Sequence, residues 1–402
     1  MSWPTVALSE LTEKIGSGST PRGGGETYKT SGIPLVRSMN VYDGEFVDDG
    51  LAYLDEVQAS ALDHVTLQSG DVLLNITGAS VARVCRLPDR LAGGRVNQHV
   101  SIIRPKKEWL DADFLAHLLQ APEAKSRLLR VAGAGATREA ITKAQIEEFK
   151  IPIPPLDEQR RIAVILDKAD ALRRKRRRAI ELLDSFARSV FLEMFGDPDK
   201  PNNYEKRILG DLVSGIESGW SPTCLDRVAV VGEPGVLKLS AVTNSEFIQE
   251  ENKALPAELR PKAGTEVVRG DILLCRKNTR ELVGSSVYVW ETRPDLHMSD
   301  LIFRLVPRKT EIDPIFLQAQ LSLPSLRKKI TEMSGGAAGS MPNVSKGRLR
   351  DLELIVPTMS TQIEFARTVR ASRALKMKQI QSSAASESLF SSLQHSAFSG
   401  QL

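Results

Sequence analysis

The chain is poor in the residues that carry most enzyme chemistry. It has three cysteines and five histidines in 402 residues. Cys85, Cys224 and Cys275 stand singly, so they supply neither a disulfide framework nor CxxC metal spacing, and they suit a reducing cytoplasm. No two histidines stand at HxxxH spacing, which argues against a zinc site of that kind. No GxxxxGK[ST] motif occurs, so ATP has no P-loop to bind. A SAM-dependent amino-methyltransferase needs an (N/D/S)PP(Y/F)-type turn; the nearest string, PIPPL from Pro152, lacks both the polar residue and the aromatic. A nuclease of the PD…(D/E)xK type needs carboxylates and a lysine converging on a metal. Pro198–Asp199 followed by Glu205–Lys206 has the wrong spacing and reads as a linker turn. The glycines Gly23–Gly25 are not followed by helix-initiating apolar residues and read as a flexible loop. No apolar run approaches the roughly 18 residues of a membrane span, and MSWPTVALSE shows no secretory signal.

The remainder is ordinary for a globular protein, with 41% hydrophobic residues and 26% charged. At this length there is room for two domains and a connector, each able to bury its own core. The net charge of +4 is too small to argue nucleic-acid binding alone. Its distribution says more. Residues 1–155 hold 17 basic and 19 acidic side chains, and residues 196–357 hold 22 of each. The excess lies in 156–195, with 10 against 7, and in 358–402, with 5 against 2. Any DNA contact by the two larger segments must therefore use clustered side chains, not a bulk field.

What the chain does have, it has twice. VALSELTEKIGSGSTP from Val6 returns as RILGDLVSGIESGWSP from Arg207. LQSGDVLL from Leu67 returns as VVRGDILL from Val267, and FKIPIPPLDEQRRIA from Phe149 returns as LELIVPTMSTQIEFA from Leu352. Three blocks in one order at an offset of about 200 residues mean a duplicated domain, since solenoid and propeller periods run only about 20–50 residues.

Each copy reads as a mixed α/β domain followed by a long helix. Gly32–Val41, Asp71–Ile76 and Val100–Ile103 are β-rich runs, and Asp111–Leu119 switches to helical spacing with aspartate as N-cap. The second copy repeats them as Gly235–Ser240, Asp271–Leu274, Leu301–Val306 and Asp313–Leu321. Pro152, Pro154 and Pro155 close one domain and Pro357 the other. From Leu156 to Phe195 there is no glycine or proline. Apolar residues recur there at Ile162, Ile165, Ala169, Leu172, Ala179, Leu183, Ala187, Val190 and Met194. Ile363, Ala366, Val369, Ala374, Met377, Ile380 and Ala384 form a weaker stripe in the second copy. Each helix would run about 60 Å at 1.5 Å per residue, and a lone helix of this composition is marginal in water. We expect the two to pair antiparallel, with the globular domains at opposite ends.

Two loops differ between copies although the frame around them is kept. Asn75–Arg83 (NITGASVAR) and Cys275–Arg280 (CRKNTR) both follow the GD(I/V)LL strand and diverge sharply. Arg276, Lys277, Asn278 and Arg280 are the residue types that bond base edges and phosphates; an ordinary polar loop is the plainer reading. GSGSTPR (Gly16–Arg22) and ESGWSP (Glu217–Pro222) form an exposed turn whose hydroxyl can reach outward, or one that only joins elements. Arg173–Arg178 (RRKRRR) is the densest charge and lies inside the expected helix. It reads as a solvated face, or as an attachment to DNA phosphate or to an acidic partner.

Together these features resemble the specificity subunit of type I restriction–modification systems, over essentially the whole chain. The carrying residues are L-x-[ED]-L-x-x-x-I-x-x-G at Leu8–Gly18 and Leu209–Gly219, G-D-[IV]-L-L, and IPIPPLDEQRRIA entering a long helix. That last block, with Glu158–Gln159, is the most specific; the second copy keeps Gln362 but has Thr361 where the family commonly has an acidic residue. The resemblance implies a mixed α/β fold with target-recognition domains over 1–155 and 198–357. Two long helices, 156–197 and 358–402, would separate them and pair as an antiparallel coiled coil. It implies a non-catalytic cytoplasmic reader of double-stranded DNA that docks two methyltransferase subunits and, through the complex, restriction subunits. S-adenosylmethionine, ATP and magnesium would then sit on those partners, with no cofactor or metal on this chain. Candidate DNA-binding residues are Ser19, Thr20, Arg22, Tyr28, Lys29, Arg37, Thr77, Ser80 and Arg83 in the first domain. In the second they are Trp220, Ser221, Lys238, Ser240, Arg276, Lys277, Asn278 and Arg280. Candidate docking residues are Leu172, Leu183, Val190, Met194, Met377 and Ile380. Two rival readings are a self-contained recognition half of a DNA methyltransferase or nuclease, and an adaptor that touches no DNA.

Overall fold

A computed structural model describes residues 3–21, 23–133, 139–200, 203–335 and 341–402. The chain divides into two compact units, residues 1–177 with 381–402 and residues 178–380. Each unit therefore joins a globular body to half of each long helix.

In the first unit a four-stranded antiparallel sheet runs in the order Thr12–Ser17, Val100–Pro105, Val72–Asn75, Val84–Arg86. The apolar run Val72–Leu74 is continuous because both faces of its strand are covered. Val72 and Leu74 enter one core with Phe114 and Ile162, while Leu73 enters another with Leu35 and Val96. The second core lies under a three-stranded sheet, Ala52–Leu54, Ile33–Val36 and Arg95–Val96. The second unit repeats the design with Val213–Ser218, Ile302–Pro307, Ile272–Cys275 and Ser286–Tyr288. Its small sheet is Asn252–Ala254, Gly235–Leu237 and Leu296–His297. Ile272 and Leu274 face one core, Leu273 and Cys275 the other.

The repeated GD motif is a structural clamp. Gly70 and Gly270 take φ of 89° and 98°, a region that favours glycine. The next residue, Asp71, is fully buried; it accepts from Arg104 Nε at 2.7 Å, Arg104 Nη2 at 2.8 Å and the Gln68 N–H at 2.7 Å. Asp271 repeats this with Arg304 Nη1 and the Val268 N–H, both at 3.0 Å. These hydrogen bonds satisfy the carboxylates that the fold buries.

The expected helix starts are confirmed by their caps. Asp111 accepts from the N–H groups of Asp113 and Phe114, and Asp313 from those of Ile315 and Phe316. Two expected strands are shorter than the sequence suggests. Gly32–Val41 is broken after Ile33–Val36, because Asn40 Oδ1 takes the Arg37 N–H at 3.1 Å and turns the chain into a 3-10 helix at Ser38–Asn40, before a separate short strand begins at Val41. Gly235–Ser240 likewise stops at Leu237 and turns at Leu239–Val242. Two further helices, Pro122–Gly133 and Pro324–Met333, follow the capped ones.

The long helices span Leu156–Phe195 and Met359–Ser399. Within the first unit Arg173 pairs with Glu387, and Arg176 donates to the Ser382 carbonyl. Within the second, Lys376 meets Asp184. Rising numbers on one helix meet falling numbers on the other, so they run antiparallel. The apolar stripe, however, is not continuous. Ile162, Ala163, Leu166, Phe365, Ala366 and Val369 are buried. Leu172, Met377, Ile380 and Ile363 are 47, 44, 39 and 44% exposed, so the seam expected through them is wrong. The helical phase instead turns Asp170 and Arg173 inward in the first unit and Lys376 inward in the second, and each is held by ion pairs within its own unit. Leu183 is half-buried, and Val190 and Met194 pack on the core of the second unit.

The two units close against the helices differently. In the second, Phe191 and Phe195 join Phe316, Phe365 and Tyr204 in one aromatic cluster. In the first, Phe114 meets Phe398 as Phe316 meets Phe195, but Gln394 holds the place of Phe191. A groove of about 910 Å³ opens there, lined by Trp3, Arg127, His395 and Phe398.

Candidate nucleic-acid interface

The most constrained loop in each unit is the Ser/Thr–Pro turn that follows the first strand of the large sheet. In the first unit a Cβ on Gly18 would lie 1.8 Å from the Val96 carbonyl oxygen. In the second, a Cβ on Gly219 would lie 2.0 Å from that of Met298. Glycine is thus required because the turn rests directly on the loop between the last strands of the two sheets. Ser19 N–H and Trp220 N–H donate to those same carbonyls at 3.1 and 3.0 Å.

That stacking brings a polar cluster to the surface. The Thr20 hydroxyl donates to Gln98 Oε1, Gln98 Nε2 lies 3.2 Å from His99 Nε2, and His99 Nδ1 lies 2.7 Å from the Thr77 hydroxyl. Ser19 lies 3.4 Å from His64. Thr20, Tyr28, Arg37, Gln98 and His99 line one open depression of about 320 Å³, with the Arg37 guanidinium 5.3 Å over the Tyr28 ring. In the second unit the Ser221 hydroxyl donates to the Asp300 carboxylate, and the Asp300 N–H donates back to Ser221 at 3.1 Å. The Arg276 N–H reaches the Leu301 carbonyl at 3.0 Å, so the divergent Cys275–Arg280 loop borders Asp300. Arg276 and Lys346 flank the Phe303 ring at 5.2 and 5.7 Å. Lys277 and Arg280 are exposed.

Other candidates do not join these clusters. Lys29 pairs with Asp55 at 3.4 Å. Arg83 stacks on Tyr42 at 4.6 Å, beside half-exposed Ser80. Lys238 and Ser240 both engage Glu251, whose carboxyl is held below its usual range first by the lysine and then by the hydroxyl. Asn278 spends its side chain inward, its amide 3.6 Å from Cys275 Sγ and its oxygen accepting from the Thr279 N–H. Arg22 lies outside the described residues.

The sequence alone does not distinguish Gln98, His99 and Asp300 from ordinary turn residues. Aligning the copies at an offset of 202 would have paired NQH with SDL, the same turn with different side chains.

The Arg173–Arg178 run has a role the sequence does not foretell. Arg173 binds Asp170 and Glu387 at 2.9 Å each and stacks over Phe390 at 4.3 Å. Arg174 also binds Asp170, at 3.1 Å, and Arg177 reaches Glu387 at 3.4 Å. Much of the run therefore fastens the two helices to each other within the first unit.

Burial pushes the Cys85 thiol up to about 12, with Asp43 adding to the shift, and burial also raises Cys275. Among the described residues, no three His, Cys, Asp or Glu side chains are placed to hold a metal ion. No described helix is long and apolar enough to cross a membrane.

Residues 2–182 match the family model described as the type I restriction modification DNA specificity domain. The chain is 30% identical over 170 residues to the type I restriction enzyme EcoEI specificity subunit of Escherichia coli, a stretch covering 42% of this chain and 29% of that one. It is 23% identical over 392 residues to the EcoKI specificity subunit of E. coli strain K12, covering 91% of this chain and 81% of that one. Among solved structures, the S subunit of a type I restriction–modification system from M. genitalium shares the fold. The TM-score is 0.62 at 15% identity, covering 99% of this chain and 96% of that one.

Proposed function

We propose that this chain, a member of the type I restriction–modification specificity-subunit family, reads a split DNA sequence with its two repeated domains, one half-site each. The observation that carries the reading is the pair of turn clusters: one backbone frame, built twice, presents Thr20–Gln98 in one unit and Ser221–Asp300 in the other. A protein gains from duplicating a frame and changing only its exposed polar side chains when each copy must recognise a different surface. Base edges are such surfaces, because each pair offers its own donors and acceptors in the major groove. The neighbouring Arg37, Lys277, Arg280 and Lys346 supply local positive charge for phosphates in domains that are near neutral overall.

The chain acts as a non-catalytic reader in the cytoplasm. Methyl transfer, and the S-adenosylmethionine it consumes, belong to two methyltransferase subunits that dock on the long helices. ATP and magnesium belong to restriction subunits joined through the complex. The candidate docking faces are the exposed residues Leu172, Met377 and Ile380, which the intramolecular seam leaves uncovered. The test is methylome sequencing of a host strain with and without this chain, co-expressed with its methyltransferase subunit. A split, asymmetric methylated motif should be present only with the chain. Methyl transfer by the purified chain alone would favour a self-contained enzyme instead.

A further inference from the structure

We propose that Gln98 and Asp300 are the equivalent base-reading residues of the two domains, Gln98 on an adenine and Asp300 on a cytosine. This rests on the reading of the domains as DNA readers. The two residues occupy one structural position. Each is the exposed residue that follows three buried ones, in Arg95–Val96–Asn97 and in His297–Met298–Ser299. Each sits on the loop pinned by the glycine contact of Gly18 or Gly219. Each bonds the hydroxyl of the Ser/Thr–Pro turn laid across it. The side chain is thus held at the tip of a loop whose backbone has no room to shift, as recognition at base resolution requires.

What differs is the hydrogen-bonding capacity left over. A glutamine amide has two donors and an oxygen with two lone pairs. Thr20 takes one lone pair of Gln98 and His99 takes one N–H, which leaves one acceptor and one donor on the same amide. Adenine presents an N6 donor and an N7 acceptor on its major-groove edge, the complement of that pair. Asp300 keeps acceptors only. Ser221 uses one site of its carboxylate, and the Ser221 oxygen is itself fixed by the Asp300 N–H, so the hydroxyl proton is aimed at the carboxylate. Among the described residues no Lys or Arg pairs with Asp300. A carboxylate beside a DNA backbone is repelled unless it meets a donor. The cytosine N4 amino group is a base-edge donor that suits an acceptor-only group, whereas the O6 and N7 of guanine would be refused.

The test uses the chain assembled with its methyltransferase subunit and a library of randomised DNA, reading methylation or binding base by base. Gln98→Glu should move one position of one half-site from adenine towards cytosine. Asp300→Asn should move one position of the other half-site from cytosine towards adenine. Each shift should be at least about tenfold in preference, with every other position unchanged. Thr20→Ala and Ser221→Ala, which free the same side chains without altering their chemistry, should blunt discrimination at those same positions. Unchanged preferences in both substituted proteins overturn the assignment, as does an equal loss of binding to all sequences by variants that melt like the wild type. If the unsubstituted complex itself shows no sequence preference, the reading of the domains as DNA readers fails, not this assignment alone.

Discussion

The side chain of Gln159 accepts a hydrogen bond from the backbone N–H of Asp111 at 2.9 Å, across 48 residues of chain. Its amide also donates to the carbonyls of Trp109 and Pro154, at 2.9 Å each. Gln362 does the same for Asp313 at 2.9 Å and Pro357 at 2.8 Å. Both glutamines are fully buried. Each ties the start of a long helix to the cap of a helix in its globular body. The acidic neighbour has no such part: Glu158 is half-buried and pairs with Arg161 at 2.7 Å.

Replacing Gln159 or Gln362 with leucine should therefore be costly. Two or three buried backbone groups lose their partner, at about 1–3 kcal/mol each when unsatisfied. We expect a total loss of about 2–5 kcal/mol in denaturant unfolding, whereas Glu158→Thr, which copies the second domain, should stay within about 0.5 kcal/mol.

The glycine turns should be as intolerant. Gly18→Ala or Gly219→Ala forces a methyl group against a backbone carbonyl, and overpacking of this kind costs roughly 1–3 kcal/mol or more. Thermal melts should fall in both variants. Gly16→Ala, where a Cβ meets nothing within 4 Å, should leave the melt near that of the wild type.

In the helical seam, Arg173→Ala should destabilise the first unit by about 1–3 kcal/mol, the range for a hydrogen bond to a charged group. Asp170 is 5% exposed and would keep only Arg174 as a partner. Lys175→Ala, in the same basic run, should have little effect on unfolding. If instead the two variants weakened DNA binding equally and left stability intact, the run would be a phosphate contact.

Thiol labelling offers a separate report on each body. Cys85 lies in the first unit and Cys275 in the second, and both are buried, whereas Cys224 is half-buried; burial raises the pKa of all three thiols. At pH 8 in native buffer Cys224 should label first. Cys85 and Cys275 should label only as their units open, so Gln159→Leu should speed Cys85 and Gln362→Leu should speed Cys275.

Much of this architecture is legible in the sequence, for physical reasons that also mark where legibility ends. Strands such as Val72–Asn75 and Ile272–Cys275 show because both faces are buried and three apolar residues run in succession in each. The caps Asp111 and Asp313 show because capping is a local rule. The extent of Ile33–Val36 does not, since Asn40 ends it with a side-chain bond. The seam is misplaced at Leu172 and Met377 because steps of three and four alone do not fix helical phase over 40 residues. The arginine run is visible as charge, yet its partners Glu387 and Phe390 lie some 210 residues away. Gln98 and Asp300 look like ordinary turn residues until Gly18 and Gly219 bring a hydroxyl onto them.

The central claim is that each domain reads its own half of the target. Its most direct test is to exchange residues 1–155 for the first domain of another specificity subunit and to sequence the methylome of the host. One half of the methylated motif should change and the other should stay as it was. A motif altered in both halves, or in neither, would contradict the account.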